Sequence, residues 1–258
     1  MNFWFKRSKI VLDCFTADEF SYNYCRVDRA VKFYPDWWLN LSLPDKNINM
    51  RSCRGFLNLY KESLILPFWS TLRMDISDDK SKDFKLTLAE TNPWSMDPFS
   101  VAEAHGYDQY SGFVRPEDNY QHIKIKASWR IKTKSDINFF YSDPLWNRNN
   151  LNAYSVLPGV MDFRVNNDLH TNIMIQYKPY SQVLQFNPGD PMAMITPITE
   201  KEVELRYHLV PPWIRVDTTP RFLVTKDVNL FTLKKNLNDR AEKNNASACP
   251  FGFGKDKK

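Results

Sequence analysis

Apolar and polar positions alternate most cleanly in the segment HIKIKASWRI, which begins at His122. Ile123, Ile125 and Ala127 fall on one side of it, and Lys124, Lys126 and Ser128 on the other. A period of two is the signature of a strand with one buried face. It predicts one continuous strand over 122–132. The same reading predicts strands over 9–15, 64–76, 84–88, 137–141, 156–165, 170–177, 182–186, 192–195 and 203–209. The charged run DDKSKD joins 64–76 to 84–88 as a hairpin. Helical spacing appears twice. Cys53, Phe56, Leu57 and Tyr60 predict a short amphipathic helix over 51–62. Leu230, Leu233 and Leu237 predict another, capped by Asp227, with Arg240 and Lys243 near its C-terminal end where cations suit the dipole. Residues 90–119 read as an irregular segment rich in Pro, Asp, Ser and aromatics, the kind of loop that covers or lines sites.

Two turn signals frame the densest run of strands. Leu157-Pro158-Gly159 predicts a tight turn joining consecutive strands, with Gly159 at a positive φ that a side chain would resist. Asn187-Pro188-Gly189-Asp190 predicts a second. Short strands punctuated this often belong to a mainly-β fold: a β-clip, or a jelly roll or sandwich as the alternative. With 258 residues the chain is long enough for one large domain. Three stretches are expected: a 1–100 extension packed on the core, a 101–225 β core, and a 226–258 helix and tail. Glycine is scarce (7) against proline (16), so Pro, Asn and Asp set most turns. Aromatic residues make up 15% of the chain, enough large rings for a substantial core.

Charge narrows the partners. The net charge of +5 is too small to call for a nucleic-acid partner. Most of the excess lies in 226–258, where eight Lys/Arg face four Asp/Glu. The four cysteines form no CxxC pair and have no histidine at zinc spacing, so no metal site is expected. The opening MNFWFKRSKIVLDCF lacks the apolar core of a signal peptide, and no apolar run reaches the ~20 residues that span a bilayer. A cytoplasmic protein with reduced thiols and no membrane partner is expected. Trp37-Trp38 reads as core and rim or as a binding surface. His105 and Asp108, in the long loop, read as solvated side chains or as the lining of a site.

One set of motifs carries a resemblance. Gly159-Val160-Met161-Asp162 precedes two strands, and Pro188-Gly189-Asp190-Pro191-Met192-Ala193-Met194 follows them. Tyr141-Ser142 closes the strand upstream, Ala104-His105-Gly106-Tyr107-Asp108 lies before it, and Gly252-Phe253-Gly254 stands near the C-terminus. In this order they resemble the dUTP pyrophosphatase and dCTP deaminase superfamily. The resemblance implies a clip of sheets, a homotrimer, Asp162 as the base that orients water, Ser142 and Asp108 at a nucleotide, and Phe253 on a closing arm. The chain as a whole also resembles proteins encoded by tailed phages of marine cyanobacteria, a likeness that carries no activity.

The departures bear on the chemistry. Tyr141 stands where the family has an Arg before Ser142, and Pro191 and Met194 stand where it has Arg and Gln. A triphosphate needs positioned cations, and Arg148, Arg164 or Lys255 would have to replace those lost. The expectation is therefore a non-catalytic binding or assembly protein without a cofactor. The alternatives are a divergent Mg²⁺-dependent nucleotide hydrolase and a virion structural component.

Overall fold

The structure, a computed structural model, describes residues 9–42, 49–77, 85–91, 101–115, 119–147, 154–165, 168–176 and 182–211. These form a mainly-β protein with fifteen strands in four sheets and three short α-helices. The predicted C-terminal helix and tail, with Arg148, Phe253 and Lys255, lie outside the described residues.

The first sheet sets β1 (Ile10–Thr16) between β15 (Val203–Leu209), which runs parallel to it, and β8 (Trp129–Lys132). Strand β1 is buried at every second residue, so Ile10, Leu12 and Cys14 enter the core. The second sheet has the order β10 (Ser155–Val156), β12 (Thr171–Gln176), β7 (Tyr120–Ile125), β6 (Ala102–Ala104), all antiparallel. The third has the order β11 (Gly159–Met161), β9 (Phe139–Ser142), β14 (Pro191–Pro197), β3 (Leu64–Pro67), β2 (Asp28–Arg29). The fourth sets β4 (Thr71–Ser77) between β13 (Gln182–Phe186) and β5 (Lys85–Thr91). The described N-terminal strands thus lie inside sheets whose other members come from 129–209.

All four sheets turn apolar side chains into one core that includes Leu12, Leu64, Leu66, Ile123, Trp129, Phe139, Ile173 and Leu184. A second, aromatic core lies on the other face of the third sheet. There Ile65 and Met194 meet Trp38, Phe56 and Tyr60 from α2 (Asp36–Leu39) and α3 (Arg54–Glu62). The spacing of Phe56 and Tyr60 puts both rings on one helix face, stacked at 4.5 Å. Helix α1 (Glu19–Tyr24) is capped by Asp18, which accepts from Ser21 N–H at 2.7 Å.

Three expectations about continuity are corrected. The strand predicted over 122–132 is two strands, because Lys126–Ser128 carry the chain from the second sheet to the first. The strand predicted over 64–76 is likewise split between the third and fourth sheets, with Phe68–Ser70 at the corner. The two corners are tied together: the buried Trp69 donates its indole N–H to Lys126 O at 2.8 Å. This satisfies a carbonyl released where the ladder ends. The third correction is Gly159, which begins β11 directly after the Leu157-Pro158 link from β10. Among the described residues the glycine with positive φ is Gly189, at 93°. It lies in the Asn187–Asp190 turn, where Asp190 N–H donates to Asn187 O at 3.0 Å.

Candidate functional site

The outer face of the second sheet collects polar chemistry through its register. On β7, His122 and Lys124 point away from the core while Ile123 and Ile125 point into it. Across β12, Asn172 stands opposite Lys124 and Met174 opposite His122. Across β6, Glu103 stands opposite Lys124, and His105 N–H donates to His122 O at 3.0 Å. One residue before the Thr171–Ile125 pair, His170 comes level with Lys126. Three of the chain's four histidines meet here.

Each group has defined partners. The rings of His105 and His122 stack at 4.4 Å and 15°, and Tyr110 closes edge-on against His122 at 5.9 Å. His122 Nε2–H donates to Asn172 Oδ1 at 3.1 Å, since the amide oxygen can only accept. His105 Nδ1 meets Gln109 Oε1, and its Nε2 is buried without a hydrogen-bond partner among the described residues. Ala127 N–H donates to His170 Nδ1 at 3.4 Å, which puts the proton of the neutral ring on Nε2. Glu103 Oε2 is shared by Lys124 Nζ at 3.4 Å and Lys126 Nζ at 3.9 Å. Arg130 pairs with Asp168 at 3.1 Å.

The electrostatics follow. Burial, with Lys124 among the neighbouring charges, holds the imidazoles of His122 and His170 below their ordinary pKa. The charge and hydrogen bond of Lys124, with Lys126 behind it, hold the Glu103 carboxyl below the usual range. Both histidines are therefore neutral at pH 7, and the charge on the face comes from Lys124, Lys126 and Arg130 against Glu103 and Asp168.

Asp162 lies elsewhere, just after β11. Its Oδ1 accepts from Arg164 N–H at 2.9 Å and Nε at 3.0 Å, and its Oδ2 from Arg164 Nη2 at 2.7 Å. Arg164 Nη2 also pairs with Asp136 at 2.7 Å. Ser142 ends β9 and is half-buried. In the β9–β11 ladder Met161 pairs with Phe139 and Gly159 with Tyr141, so Asp162 and Ser142 lie at opposite ends of that pair, roughly 13 Å apart along the strand. Tyr141 is buried, with its hydroxyl at 3.1 Å from Leu169 O and 2.7 Å from Thr171 Oγ1. Burial raises the pKa of that hydroxyl well above its ordinary value. Asp108 is exposed in a 3₁₀ turn over Tyr107–Gln109, next to the His105 face. The structure thus brings Asp162 to Arg164 and Asp108 near His105, and leaves Ser142 apart from both.

Sequence reasoning missed His122, Lys124, Lys126 and Asn172 as one cluster. The signal for half of it was present: the alternation at 122–128 already put the two lysines on one face. The pairing of that face with Glu103, Asn172 and His170 is a matter of register between strands some 20 to 50 residues apart.

Among the described residues no group of three His, Cys, Asp or Glu is placed to hold a metal ion, and no helix is long and apolar enough to cross a membrane. Comparisons with protein-family models, with curated proteins and with solved structures each found no match.

Proposed function

We propose that this chain is a non-catalytic binding or assembly protein on a mainly-β scaffold similar to that of the dUTP pyrophosphatases. The observation that carries the reading is the Asp162–Arg164–Asp136 ion pair. A base that orients water needs a free carboxylate oxygen aimed at substrate, yet both oxygens of Asp162 accept from Arg164. A triphosphate needs cations, yet Arg164 is spent on two carboxylates, so the group as a whole is anionic. Tyr141, at the position of a family Arg, is turned into the core. The same resemblance carries a homotrimer, which sedimentation equilibrium checks.

The test is a panel of dUTP, dCTP and other nucleoside triphosphates with Mg²⁺, read as released pyrophosphate. No turnover is expected, because losing a single positioned donor already costs roughly 10²–10³ in rate. Pyrophosphate release that disappears in Asp162→Asn would overturn the reading and put the Mg²⁺-dependent hydrolase in its place.

A further inference from the structure

No further inference is drawn: the strongest candidate, the exposed apolar patch that Phe140, Val160 and Ile198 make on the outer face of the five-stranded sheet at its β9–β11 end, carries nothing because nothing in the structure shows what covers it.

Discussion

The outer faces of two sheets differ in what their sequence provides. On the five-stranded sheet, β3 is buried at all four positions and β14 at five of seven. Its outer side chains Ile65 and Met194 lie under Trp38, Phe56 and Tyr60. On the four-stranded sheet, β7 alternates toward its end, and its outer side chains are His122 and Lys124. A strand apolar on both sides needs two cores, and a strand apolar on one side leaves the other for polar work. The aromatic layer therefore covers its sheet as a second core, while the other sheet keeps a polar outer face. The two sheets are also pinned together: Tyr141 projects from the inner face of one and hydrogen-bonds Thr171 at the start of a strand in the other.

The largest effect should come from the aromatic layer. Phe56 stacks on Trp38 at 4.3 Å and on Tyr60 at 4.5 Å, and it is 3% exposed. Phe56→Ala should lower unfolding free energy by about 3–5 kcal/mol in urea denaturation. A loss below about 1 kcal/mol would show that α2 and α3 are a detachable appendage rather than a second core. Next is Tyr141→Phe, which keeps the ring and removes the hydroxyl. A loss of about 1–2 kcal/mol is expected, because Thr171 and Leu169 O lose a buried partner. A neutral result would remove the pin from the comparison.

The smallest effect is the acid response of the polar face. Unfolded imidazoles titrate near about pH 6.5, while those of His122 and His170 are depressed in the fold, mainly by burial. The unfolded chain therefore binds protons first as pH falls. This contribution to stability is complete above about pH 6.5 and declines below it, toward the folded-state pKa values. The groups facing these rings are His105, Tyr110, Lys124, Lys126, Arg130, Asp168 and Asn172. Denaturation curves at several pH values should show a shallower decline between pH 6.5 and 5 in the double variant His122→Gln, His170→Gln than in the unaltered chain. An unchanged slope would mean that the rings are solvated in the fold.

The sequence by itself determined which residues go inward. The alternation at Ile123 and Ile125, the apolar runs of β3 and β14, the Phe56–Tyr60 helix face and the Asn187–Asp190 turn were all legible, because side-chain period and turn chemistry are local properties of the chain. It also put Lys124 and Lys126 on one face. Where a strand leaves its sheet was decided only in three dimensions. The alternation through Lys126–Ser128 runs unbroken, yet the chain turns a corner there, since Trp69, 57 residues earlier, supplies the hydrogen bond that Lys126 O would otherwise need from a neighbouring strand. Leu157-Pro158-Gly159 reads as a turn between consecutive strands, and the two strands it links belong to different sheets. Asp162 looked free and is held by Arg164 and, through it, by Asp136. The same reason covers all three. Local pattern fixes the face a side chain takes, while the partner on that face is set by register and by packing between distant strands, which no short window of sequence contains.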